Sequence, residues 1–150
     1  MFRPDIVPQV LPIPGGGLCL VFDDILLEPE RWRSRAAEFG AQFEPPQHNA
    51  YPGRELRLPD TVTAALLGTL SPWLQHHFGI VRIVDGYCRL SMVTLAPEQL
   101  TPARSLCHRD RLHDPSGKLP LASVLYLFDD PPLGGTHFFR PLLEKAPLMQ

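Results

Sequence analysis

This chain has little of what a membrane protein, a disulfide scaffold or a polyanion binder requires. No stretch approaches about 18 uninterrupted apolar residues, so no segment reads as a spanning helix. The N-terminus, MFRPDIVPQVLPIPGGG, lacks a basic region followed by an apolar one, so no secretory signal is expected. Cysteine is scarce: Cys19, Cys88 and Cys107, an odd count without close spacing. That pattern argues against a disulfide framework and a zinc knuckle, and the expectation is reduced thiols in a cytoplasmic protein. Basic charge is also short. The formal net charge is −2 and the pI about 6.3. The densest basic run, RWRSR at 31–35, reads as the polar side of a helix. No nucleic-acid partner and no membrane association are expected.

Proline is in excess, at 18 of 150 residues, against a typical share of roughly 5%. The prolines are dispersed, so they punctuate many short elements, and a strand-and-loop fold is favoured over a helical bundle. Length and apolar content suit one domain over 1–150. GLCLVFDDIL (17–26) reads as a buried strand and EPERWRSRAAEFGAQF (28–43) as a helix, with Trp32, Ala36 and Phe39 on one face. Residues 44–60 read as loop. DTVTAALLGTLSPWLQHHFG (60–79) reads as a second helix, with Asp60 as N-cap and Pro72 as a break or kink. Strand-like runs follow: IVRIV, YCRLSMVTL, LASVLYLF and THFFRP. Helices followed by strands predict an α+β fold, with helices packed on an antiparallel sheet or barrel.

The chemistry concentrates in SLCHRDRLHD, residues 105–114. On an extended segment, His108 and Asp110 at i and i+2 point to one face. They can therefore occupy adjacent positions around a metal ion, as in a two-histidine, one-carboxylate iron site. Arg109 should face the other way, and His113 and Asp114 fall in the following loop. Cys107 and His108, as strand neighbours, are badly placed to share a proton. His76 and His77 suit a helix C-terminus, where a partly positive imidazole meets the helix dipole. His48 is a loop residue near no fixed group. Downstream, LASVLYLFDDPPLGGTHFF reads as two strands joined by a turn, at which Gly134 and Gly135 can supply positive φ.

In that order, His108-x-Asp110, Tyr126-Leu127, Gly134-Gly135-Thr136 and Phe138 resemble the core of the iron(II)/2-oxoglutarate-dependent dioxygenases, notably the prolyl-hydroxylase-like branch. LVFDDILLEPE near the N-terminus is similar to the way such domains begin. The resemblance implies a double-stranded β-helix, a distorted jelly roll. It implies iron(II) held by His108 and Asp110, and 2-oxoglutarate contacted by Tyr126. The substrate would be a small molecule or a peptidyl side chain, hydroxylated at a C–H bond. The family's second histidine, and the basic residue that anchors 2-oxoglutarate, have no matching position in THFFRPLLEKAPLMQ. His137, Arg140 and Lys145 are off the family spacing. The expectation is therefore the first half of the core, C-terminally incomplete, as a fragment of a longer oxygenase would be, with a homodimer or partner chain as another way to close the barrel. The alternative is a non-catalytic binding module on the same fold.

Overall fold

The computed structural model describes residues 1–46, 51–105 and 120–139. Among these residues it is an α+β arrangement of two antiparallel two-stranded sheets and three α-helices. β1 (Gln9–Pro12) pairs with β2 (Leu18–Val21), from Gln9 opposite Val21 to Pro12 opposite Leu18. Their connection turns on Gly15, Gly16 and Gly17, all at positive φ (96°, 111° and 96°), which side chains other than hydrogen tolerate poorly. α1 (Pro29–Glu38) follows, with Pro29 in its first turn, and a 3₁₀ turn (Gly40–Gln42) ends it. Trp32, Ala36 and Phe39 are half-buried on this stretch, as the helical spacing predicts.

β3 (Gly53–Arg57) lies where the sequence reads as loop, and it pairs antiparallel with β4 (Arg89–Val93). Its residues, GRELR, carry three charges and one apolar side chain, so no alternation of apolar residues marks it. It becomes a strand because β4, far along the chain, supplies the ladder.

α2 (Asp60–Phe78) is the long helix. Pro59 occupies the N-cap and Asp60 the first turn, one position later than expected, where its carboxylate still suits the helix dipole. Pro72 does not end the helix, which runs on to Phe78 and closes at Gly79 in the left-handed conformation. The carbonyl deprived of a partner by Pro72 is that of Gly68, four residues back.

The core joins distant segments. Ile6, Ile25, Leu26 and Leu70 are buried together, and Phe2, Trp32, Leu66, Leu74 and Leu127 pack around them. Leu66, Leu70 and Leu74 recur every four residues, so α2 presents one apolar stripe. The N-terminal segment is tied to 25–27 by Arg3 N–H to the Ile25 carbonyl (2.9 Å) and Leu27 N–H to the Met1 carbonyl (3.2 Å). Among the described residues Phe43 is the most buried large side chain, at 1% exposure.

The sequence runs IVRIV (80–84), LASVLYLF (121–128) and the described part of THFFRP (136–139) form no strand ladder among the described residues. An apolar run becomes a strand only where another segment satisfies its backbone N–H and C=O groups. α3 (Pro102–Ser105) is a single turn. No helix among the described residues is long and apolar enough to cross a membrane.

Candidate functional site

His108 and Asp110, the expected metal pair, lie outside the described residues, as do His48, Cys107, Arg109, His113, Asp114, Arg140 and Lys145. The described part of the expected site is the segment 120–139, which carries Tyr126. Leu127 fixes its orientation by packing on the core. In an extended chain the neighbours of an inward residue point outward, and Tyr126 and Phe128 are indeed exposed, at 42% and 40%. Their rings meet edge to face at 5.4 Å.

The chain then reverses. A 3₁₀ turn (Pro131–Leu133) is closed by Leu133 N–H to the Asp130 carbonyl (3.0 Å) and Gly134 N–H to the Pro131 carbonyl (3.1 Å). Gly134 sits at φ 86°, ψ −163°, a region open essentially to glycine alone. Gly135, expected to share this role, has no positive φ.

The reversal brings the Thr136 hydroxyl into hydrogen-bond contact with the Tyr126 hydroxyl, ten residues earlier. Each hydroxyl has one donor and two acceptor lone pairs. The bond between them consumes one donor, so the pair keeps one O–H for an incoming oxyanion. His137 and Phe139 stand at the following alternate positions, with ring centroids 6.3 Å apart.

His76 and His77 occupy the last turn of α2, the place expected from the helix dipole. Their rings meet at 4.6 Å, and His77 stacks on Trp73 at 6.3 Å. Cys19 and Cys88 carry free thiols. Among the described residues, no three His, Cys, Asp or Glu side chains are grouped to hold a metal. An open groove of about 500 Å³ runs between α2 and residues 81–86, walled by Leu67, Gly68, Val81, Ile83 and Val84.

A second polar group was not legible in the sequence because it depends on the β3–β4 pairing. Glu55 and Arg57 of β3 share a face with Arg89 and Ser91 of β4, opposite each other in register. Arg89 Nε contacts Glu55 at 3.3 Å, and Arg89 Nη1 donates to the Tyr87 hydroxyl at 3.2 Å. Burial, reinforced by the Glu55 carboxylate, raises the Tyr51 phenol above its ordinary value, while Arg89 and a hydrogen bond with Ser91 oppose the rise. The one available signal was the i, i+2 spacing of Glu55 with Arg57 and of Tyr87 with Arg89.

A model of a family of unknown function, DUF6445, matches residues 4–149. The chain belongs to that family. No curated protein and no solved structure matches it.

Proposed function

We propose that this chain is an iron(II)/2-oxoglutarate-dependent oxygenase domain, or a homologue of one, built on the first half of a double-stranded β-helix. The observation that carries the reading is the Tyr126–Thr136 hydroxyl pair, presented away from the core on the two legs of one reversal. Both residues belong to the sequence pattern that follows His108-x-Asp110. The donor set suits the groups it would hold. An imidazole and a carboxylate are ordinary ligands of iron(II), and a phenol backed by a second hydroxyl suits a carboxylate.

In this reading His108 and Asp110 would hold the iron(II). Tyr126 orients the far carboxylate of 2-oxoglutarate, and Thr136 fixes the direction of the phenol. When bound, iron(II) with 2-oxoglutarate and O₂ supplies the oxidising power. One oxygen atom enters a substrate C–H bond, the other enters succinate, and carbon dioxide leaves. A small molecule or a peptidyl side chain fits this chemistry equally. A third ligand, and a basic anchor for 2-oxoglutarate, would come from a longer chain of which this is a fragment, or from a second copy or a partner chain that completes the barrel.

The test is succinate release from 2-oxoglutarate under iron(II), ascorbate and air, with the chain alone and across a concentration series. Turnover that His108→Ala and Asp110→Ala abolish, and that Tyr126→Phe weakens mainly through the KM for 2-oxoglutarate, supports the proposal. Absence of both turnover and iron binding at every concentration favours the non-catalytic binding module instead.

A further inference from the structure

Tyr126 and Thr136 lie ten residues apart, yet their hydroxyls meet. Among the described residues, no backbone hydrogen bond joins the two legs that carry them, and neither leg belongs to a sheet. In a hairpin the ladder and the turn together fix which residues stand opposite. Here the turn has to do so without a ladder.

The first leg is anchored, because Leu127 packs on the core and the Tyr126 ring meets Phe128 edge to face. The turn is stiff where it begins. Proline locks φ at about −65°, and Pro131 and Pro132 open the 3₁₀ turn. Leu133 and Gly134 then donate back to the Asp130 and Pro131 carbonyls. The direction of the second leg is decided at Gly134, two positions before Thr136. Its φ of 86° with ψ of −163° is the mirror image of an ordinary extended residue, a region glycine enters freely. An L side chain there drives φ to negative values, a rotation of roughly 150°, and the second leg leaves on another course. Space is not what selects glycine, since a Cβ on Gly134 or on Gly135 meets no atom within 4 Å. The two glycines differ only in that Gly135 has no positive φ.

We infer that Gly134 is a positioning residue: its mirror-image backbone holds the Thr136 hydroxyl on that of Tyr126 and so keeps one O–H of the pair in a fixed place for a carboxylate. With the contact made, one hydroxyl donates to the other and a single O–H is left to face outward. Without it, both hydroxyls turn freely in water, and the freedom lost on binding an anion is greater. The carboxylate in this inference, that of 2-oxoglutarate, rests on the oxygenase reading; the dependence of the hydroxyl contact on Gly134 does not.

The test is carbon-13 NMR of the full chain carrying tyrosine labelled at Cζ, with Tyr126→Phe identifying its resonance among the three tyrosines. Thr136→Val shifts that resonance by removing the contact. Gly134→Ala shifts it to the same place, and Gly135→Ala leaves it where it was. Alanine of the D configuration at position 134, carried on a synthetic segment joined at the native Cys107, restores the parent resonance, because a mirror-image residue prefers the mirror-image backbone. Titrated against the same signal, 2-oxoglutarate binds Gly134→Ala about tenfold more weakly than the parent, near the loss of one hydrogen bond, and Gly135→Ala as well as the parent. A resonance unmoved by Gly134→Ala, or moved as far by Gly135→Ala, overturns the inference, and so does a D-alanine chain that behaves like the L-alanine one. Gly134 is exposed and outside the buried cluster, so the freed leg swings and the core does not yield. A Tm loss above about 4 °C in Gly134→Ala makes it a structural residue and overturns the inference too. If 2-oxoglutarate moves the resonance in no chain, the oxygenase reading fails, while the shifts of the ligand-free chains still decide the role of Gly134.

Discussion

Tyr51 shows how a single residue reports its surroundings. Burial penalises its phenolate, the Glu55 carboxylate adds to that penalty, and Arg89 with the Ser91 hydrogen bond only partly offsets the two. The folded chain therefore keeps a proton at pH values where the unfolded chain has released it. The associated stability is present in full below the ordinary tyrosine value of about 10. It is lost as pH rises from there through the higher folded value. An ultraviolet tyrosinate titration is expected to contain a late step, and Tyr51→Phe removes that step. The same substitution flattens the fall in Tm above about pH 10. If the late step survives in Tyr51→Phe, the burial of this phenol has been misread. None of this was visible in the sequence, where Tyr51 stands in a Pro- and Asn-containing stretch that reads as loop.

At the scale of elements, legibility follows the range of the forces. α1 and α2 were readable because helix signals are local: a proline in the first turn, an apolar face every three or four residues, a glycine at the end. β3 was not readable, because its ladder comes from β4, more than thirty positions away. Conversely, IVRIV and LASVLYLF have strand composition without a strand partner among the described residues. The β3–β4 ribbon also has a point of close approach. A Cβ built on Gly53 would overlap the backbone carbonyl of Met92, which cannot swing aside as a side chain would. Gly53→Ala is expected to cost about 1–3 kcal/mol or more by overpacking. Gly68→Ala, where an added Cβ meets nothing within 4 Å, is expected to gain about 0.5–1 kcal/mol from helix propensity. Urea unfolding of the two variants checks both signs, and equal effects would remove the close-approach argument.

For the whole molecule, the distribution of apolar surface matters most. The buried cluster gathers the N-terminal segment, residues 25–26, α1 and α2, and among the described residues of the C-terminal segment Leu127 reaches it. Around that anchor, Val124, Leu125, Phe138 and Phe139 are exposed among the described residues. If His108 and Asp110 bind a metal in the folded chain only, the ion stabilises the fold by mass action, about 2.7 kcal/mol at a hundredfold excess over Kd. A thermal-shift series with anaerobic iron(II), or with cobalt(II), is expected to raise Tm in the parent chain and to leave His108→Ala unmoved. Equal shifts in both would remove His108 from the metal site.

By itself the sequence determined the α+β class, the positions of both long helices, the apolar face of α1 and the glycine at the Asp130–Gly134 reversal. Each rests on contacts or dihedral preferences within a few residues. Only the tertiary structure decided that β3 is a strand, that Arg57 and Arg89 share one tyrosine ring, that Tyr51 is half-buried beside Glu55, and that the hydroxyls of Tyr126 and Thr136 meet. Those four depend on pairings between residues distant along the chain. Composition and local spacing hold no record of such pairings, because backbone hydrogen bonds and ring contacts are made across the fold rather than along it.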